Sequence, residues 1–286
     1  ASPCAITGLP EIFSVHCGLH HTVCLDNTGS LWSFGRADDG QLGIVTADRV
    51  VTKPQKISLA AEVVWVSCGG YHTFCMTDHG DIYCFGLNSD GQLGLGDNDT
   101  RITPVKFPMD AVADVTAIAC GKYHTAIVNR PGDLYTFGSN NFGQLGNNTR
   151  GTNSPLQVDI HPLQQVSCGY DHTMGIGFDG ALWVFGSNEM GQIGAKTAAK
   201  LTSPTKIDAL TDVESLSSGG QHSFVKEASG VVWVTGSNDW HQLGTTSGTP
   251  KVMLRPKLQD QFVQLPEESC KMIRSRFRTK AKSARK

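Results

Sequence analysis

A chain of 286 residues, 39% hydrophobic and 17% charged, has ample material for a core, and its 32 glycines suit a turn-rich β protein better than a helical one. The formal charge of −2 divides unevenly: residues 270–286 hold eight Lys or Arg and no acid, leaving 16 basic against 26 acidic groups in the body. An acidic body argues against broad nucleic-acid binding, where phosphate contacts dominate affinity, and without 18 consecutive apolar residues no transmembrane helix is expected.

The chain opens ASPCAITGLP, with neither a basic region nor an apolar run, so no signal peptide is expected. Beyond this opening the chain is repetitive. His21, His72, His124, His172 and His222 mark five copies of one motif, 51, 52, 48 and 50 residues apart. A glycine stands three residues before each (Gly18, Gly69, Gly121, Gly169, Gly219), and others eight and twenty-two after it. Fixed spacing within units and slack between them is the signature of a repeat array, and a period of about 50 suits a propeller.

Prolines 3, 54, 104, 155, 204 and 250 recur at the same period and are taken as unit starts. The units are then 3–53, 54–103, 104–154, 155–203 and 204–249, with a partial sixth at 250–265, all within one domain, 1–265. Residues 266–286 form a basic tail. In the second unit Ala61–Val66 is β-branched and aromatic, as a strand should be. The C-G-x-x-H-T step then makes a tight turn, for which Gly69 is expected to supply a positive φ. Thr73–Thr77 is the second strand and Ile82–Phe85 the third, with counterparts at Leu31–Phe34, Leu134–Phe137, Leu182–Phe185 and Val232–Thr235. The segment after each proline (Val105–Phe107, Leu156–Val158) supplies a short fourth. Four short strands per unit give an all-β fold of about five four-stranded blades, a β-propeller. No window shows sustained helical periodicity.

The C-G-x-x-H-T, [LIV]-[WY]-x-F-G and S-N-x-x-G-Q-L-G pattern resembles the regulator of chromosome condensation repeat family, and Ser139–Gly146 fits it nearly letter for letter. The resemblance covers residues 3–249. It implies a propeller that usually closes with seven blades. Five full units are compatible with a smaller ring, an open arc or part of seven. Repeat five departs from the pattern at Ser218, Thr235 and His241, as a terminal unit does.

Nine cysteines raise the question of disulfides. Cys17, Cys68, Cys120 and Cys168 hold one slot in four units, so they should lie apart as small buried residues in a reducing compartment, cytosol or nucleus. The sequons at Asn98 and Asn147 are then incidental. One histidine per unit cannot gather the roughly four ligands of a zinc site; each is expected to bond backbone and lock its own turn. Leu95–Thr100 lacks the glycine and glutamate of a calcium loop. There is no G-x-S-x-G elbow and no Walker A sequence. No metal, cofactor, catalytic residue or small-molecule substrate is expected.

Function should sit where the repeats differ. The two residues before each G-Q-L-G glycine vary, and from them Asp38, Asp39, Asp90, Phe142, Met190 and Trp240 are the candidate partner-binding residues. Phe142, Met190 and Trp240 fall in successive units and could form an apolar patch, a composition typical of interface centres. In the tail, Lys271, Arg274, Arg276, Arg278, Lys280 and Lys282 suit localisation, nucleic acid or an acidic membrane. The expected function is a non-enzymatic scaffold presenting one loop face to a protein. The resemblance implies an alternative, guanine-nucleotide exchange on a small GTPase such as Ran, though no inserted wedge stands out between motifs. A targeting module of a larger ubiquitin ligase or kinase is a third.

Overall fold

The computed structural model describes residues 4–110, 112–195 and 199–244, and the backbone of 252–258. Twenty strands form five four-stranded antiparallel meanders, the blades of a β-propeller. Blade one contains β1 (Ile12–Cys17), β2 (His21–Asp26), β3 (Leu31–Arg36) and β4 (Val50–Lys56). Blade two contains β5 (Val63–Cys68), β6 (His72–Thr77), β7 (Ile82–Gly86) and β8 (Arg101–Lys106). Blade three continues with β9 (Val115–Cys120), β10 (His124–Asn129), β11 (Leu134–Ser139) and β12 (Gly151–Val158). Blade four comprises β13 (Leu163–Cys168), β14 (His172–Gly177), β15 (Leu182–Ser187) and β16 (Lys200–Lys206). Blade five comprises β17 (Val213–Ser218), β18 (His222–Glu227), β19 (Val232–Ser237) and β20 (Val252–Leu258). Successive blades meet through their first and second strands, so the fourth strands lie outermost.

That arrangement moves the unit boundaries. Pro54, Pro104, Pro155 and Pro204 lie inside the outer strands β4, β8, β12 and β16, not at the start of a unit. An edge strand has one row of N–H groups without ladder partners, so it accepts a residue that has none. The expected sixth unit is also corrected. Strand β20 pairs with β19, placing Leu258 opposite Trp233 as Lys56 lies opposite Trp32 and Lys206 opposite Trp183. The register equivalent of Pro54 and Pro204 is therefore Pro256 and not Pro250, and residues 252–258 complete blade five. The remainder of that unit and the tail, including Lys271, Arg274, Arg276, Arg278, Lys280 and Lys282, lie outside the described residues.

The core sits between blades. Val23, Leu25, Leu31 and Ile57 of blade one pack on Val63, Val66, Cys75 and Phe85 of blade two. The next junction sets Phe74, Ile82 and Leu93 against Ile118, Ile127 and Phe137. The motif phenylalanines Phe85, Phe137 and Phe185 each reach back to the preceding blade and are fully buried. A sheet one layer thick has no interior of its own, so each blade depends on its neighbour for burial.

Gly69 does not supply a positive φ; neither do its four equivalents. The requirement is space. A Cβ on Gly69 would stand 2.3 Å from Cε1 of His72 and 2.5 Å from the carbonyl oxygen of Gly121 in the next blade. Left-handed backbone occurs instead at the glycine after the motif phenylalanine: Gly86 has φ 111° at the β7–β8 register shift. Any side chain there would be strained.

Candidate functional site

In every blade the turn between the first and second strands and the loop between the third and fourth share one end of the propeller. Backbone bonds join them: Arg36 N–H donates to His20 O at 2.8 Å, Leu87 to Tyr71 at 2.9 Å, Ser139 to Tyr123 at 2.8 Å, Ser187 to Asp171 at 2.7 Å and Ser237 to Gln221 at 2.8 Å. Within each loop the motif glutamine is a peg. Gln41, Gln92 and Gln144 are fully buried and Gln192 nearly so. Their Oε1 atoms, with that of Gln242, accept the backbone N–H of Asp39, Asp90, Phe142, Met190 and Trp240 at 2.8–3.0 Å. Asn88, Asn140, Asn188 and Asn238 add a second anchor, each accepting a loop N–H through Oδ1. Five loops thus hold the backbone of their variable residue alike while its side chain changes.

The six candidate residues occupy these loops in different states. Asp38 is already paired, with Arg49 at 2.9 Å and Arg36 at 3.0 Å, and these bonds hold its carboxyl below the usual range. Asp39 lies 3.6 Å from Arg36. Asp90 accepts from Ser89 Oγ at 3.0 Å. Phe142 and Met190 are half-buried, whereas Trp240 is 87% exposed. Trp240 projects furthest of the three apolar loop residues, while Phe142 and Met190 keep only part of their surface exposed.

The same end carries aromatic residues that repeat-to-repeat variation in the loops does not point to. Tyr71 and Tyr123 stack at 5.3 Å with an interplanar angle of 18°. Arg36 lies 5.8 Å from the Tyr71 ring, and the Lys122 ammonium bridges Tyr123 and Tyr170 at 5.2 and 5.6 Å. Partial burial, then the adjoining Tyr71 hydroxyl and Asp90 and Asp39, push the Tyr123 phenol up to about 12. Burial also raises the Asp171 carboxyl, opposed by Lys122 and assisted by Glu189. Tyr71, Lys122, Tyr123, Tyr170 and Asp171 fill the variable positions of C-G-x-x-H. Variability inside a fixed frame, the criterion that singles out the loops, would have found them too.

The five histidines do not lock their own turns as expected; four of them tie blades together. Nε2 of His21, His72, His124 and His172 meets the hydroxyl of Thr73, Thr125, Thr173 and Ser223 in the next blade at 2.9–3.0 Å. The hydroxyls of Thr125 and Thr173 donate to the carbonyls of Gln92 and Gln144, both at 2.8 Å, so each accepts from an Nε2–H. Nδ1 is then the bare nitrogen, buried without a hydrogen-bond partner. Desolvation lowers the pKa to about 3 for His72, His124 and His172 and to about 4 for His21. Among the described residues no three His, Cys, Asp or Glu gather as a metal site, and the eight described cysteines are unpaired. No described helix is long and apolar enough to cross a membrane.

The family model described as the RCC1-like domain matches residues 2–279. The chain belongs to the RCC1-like domain family. Among curated members, a segment is 36% identical over 141 residues to the probable E3 ubiquitin-protein ligase HERC4 of Homo sapiens, covering 49% of this chain and 13% of that protein. Another is 38% identical over 132 residues to the RCC2 homolog of Xenopus laevis, covering 46% of this chain and 26% of that one. The matches therefore span about a quarter or less of those relatives' lengths. Among solved structures, human WBSCR16 superposes with a TM-score of 0.77 at 24% identity, covering 89% of this chain and 67% of that one, which shows the RCC1-like fold.

Proposed function

We propose that this RCC1-like propeller is a non-catalytic interaction module that engages a protein partner through the end carrying the loops between the third and fourth strands of its blades. The observation carrying this reading is the glutamine peg: the same rigid backbone position presents Asp39, Asp90, Phe142, Met190 and Trp240 in turn. A pre-ordered display loses little entropy on binding. The adjoining Tyr71–Tyr123–Lys122–Tyr170 row adds flat aromatic surface with a cation, chemistry enriched at interface centres. The partner is then a protein surface combining apolar anchors with basic groups that meet Asp90, Glu189 and Asp239.

Regulation of a small GTPase is the finer form of this reading. The loops between the third and fourth strands of each blade run no longer than 14 residues and the blade-to-blade connections no longer than eight, so among the described elements no inserted wedge is present. An exchange factor on this scaffold would have to use the loops themselves. The test combines affinity capture with nucleotide release. Proteins captured by the wild-type chain should be lost with Trp240→Ala and Tyr123→Ala but retained with His79→Ala, which alters the opposite end. Equal capture by all three variants would refute the loop-end assignment. Accelerated GDP release from one member of a small-GTPase panel, abolished by the same two variants, would establish exchange.

A further inference from the structure

A groove of about 470 Å³ opens at the loop end between blades two and three. One wall is the loop between β7 and β8, which contributes Asp90 and Asn98; the other is Asn141, Arg150 and the start of β12. Its space follows from the sequence. Register places Thr152 opposite Gly138, where Val51, Arg101 and Leu201 stand opposite Gly35, Gly86 and Gly186. Gly151 likewise takes the place of Val50 and Lys200. In blade four Lys200 reaches across its junction to the carbonyl of Asn141 at 3.4 Å. Gly151 has no side chain to do so, and the equivalent carbonyl, on Ser89, receives Asn98 Nδ2 at 2.7 Å instead. The two walls touch at the backbone, since a Cβ on Gly91 would stand 2.4 Å from Asn153 Cα.

The groups left unspent define the occupant. Arg36, Arg49 and Arg101 at this end each pair with an aspartate. Arg150 is exposed and has no ion pair among the described residues. The Asp90 carboxylate accepts the Ser89 hydroxyl and, among the described residues, meets no cation. Asn98, Asn141 and Asn153 each commit one side-chain N–H, to Ser89 O, Ser139 Oγ and Asn98 Oδ1, and each keeps a second. The groove thus joins three spare amide donors to one unpaired cation and one unpaired anion, with no apolar side chain in its lining. An extended polypeptide supplies a carbonyl for such donors at every residue. Phosphate is opposed by Asp90, and a sugar ring finds no aromatic side chain in the lining to stack on. We infer that this groove seats an extended segment of the protein partner, with an acidic side chain on Arg150, a basic side chain on Asp90 and main-chain carbonyls on the asparagines. The inference rests on the loop-end reading and adds a sequence rule to it: two opposite charges at fixed spacing, without an apolar anchor between them.

The probe is a positional-scanning library of immobilised decapeptides, read with the labelled full-length chain. The wild-type chain should select one acidic and one basic position at constant spacing, and the best peptide should bind in solution by fluorescence anisotropy. Arg150→Glu should weaken that peptide about tenfold or more, and binding should recover when the peptide's acidic residue is replaced by Lys. Asp90→Lys should behave likewise and recover when the peptide's basic residue is replaced by Glu. Thr152→Leu, which installs the blade-four residue, should fill the groove and abolish selection while leaving Tm within about 2 °C of wild type. No selection, selection without the charge pair, or no recovery with the charge-swapped peptides would overturn the inference. So would equal competition by inorganic phosphate, which would make Arg150 a simple anion contact. Partner capture that is lost with Trp240→Ala and Tyr123→Ala but retained with Arg150→Glu and Thr152→Leu would sink the groove and leave the loop-end reading standing.

Discussion

The histidine ladder makes the fold sensitive to mild acid by an amount that can be calculated. His21, His72, His124 and His172 are neutral in the folded state because burial lowers them from 6.5 to about 4, 3, 3 and 3. The unfolded chain takes up protons first, so their contribution is intact above about pH 6.5 and falls away as pH drops toward 4. Each ring costs about 1.9 kcal/mol between pH 7 and pH 5, so the four together cost about 7–8 kcal/mol, and the local slope near pH 5.5 is about 5 kcal/mol per pH unit. Burial shifts His16 and His222 the same way, adding to the slope, while the raised Asp171 opposes it as a single group. Asp26, lowered to about 2 because its hydrogen bonds to Thr28, Trp32 and Ser30 outweigh desolvation, stabilises at all higher pH and loses that contribution only as pH falls from about 4 toward 2, outside the histidine window. Against a total stability of roughly 5–15 kcal/mol, this loss is decisive. Urea unfolding followed by tryptophan fluorescence across that pH range measures it directly. His124→Gln should lower the slope by about a quarter, since one of four ladder rings no longer titrates. A wild-type slope below about 1.5 kcal/mol per pH unit would show that the rings are hydrated or charged, and would refute the buried neutral ladder.

Gly121→Ala should destabilise by about 2–4 kcal/mol, because its Cβ would meet His124 Cε1 at 2.1 Å and Gly169 O at 2.8 Å; an unchanged Tm would dismiss the steric account. Thr125→Val should cost about 1–3 kcal/mol by stranding the buried His72 N–H, as checked by the urea midpoint, and a neutral result would break the ladder assignment. Alkylation of the native protein should label Cys4 and Cys17 first, both exposed, while Cys75 and Cys120, which desolvation raises to about 12, react only after unfolding. Early labelling at Cys75, read by mass spectrometry, would contradict the packing between blades one and two.

Much of this architecture is legible in the chain because the repeat spacing is constant. The histidine and glycine intervals locate the first three strands of every blade to within a few residues. The fourth strand is harder to place. A proline marks an edge strand as readily as a boundary, and only register with Trp32, Trp183 and Trp233 distinguishes Pro256 from Pro250. The role of Gly69 is hidden because sequence shows that a glycine is needed without showing why; a clash with a ring three residues on and a carbonyl in the next blade requires knowing how blades stack. The histidines are hidden for the same reason, since their partners lie about fifty residues downstream. At the loop end, Asp38 looks available until Arg36 and Arg49 are placed beside it. Tyr71, Tyr123 and Tyr170 escape notice because the invariant Cys, Gly and His around them draw attention to the frame, and only the stacking of blades brings these variable positions together.

The glutamine pegs have one more consequence. By gripping the main chain one step inside each loop, they separate the grammar of the molecule from its vocabulary. Asp, Phe, Met and Trp all stand at the same pegged position, so replacing one with another leaves the hydrogen bonds of the frame intact. Recognition can then drift or be rewritten one blade at a time, in a five-letter word whose spelling the fold does not read.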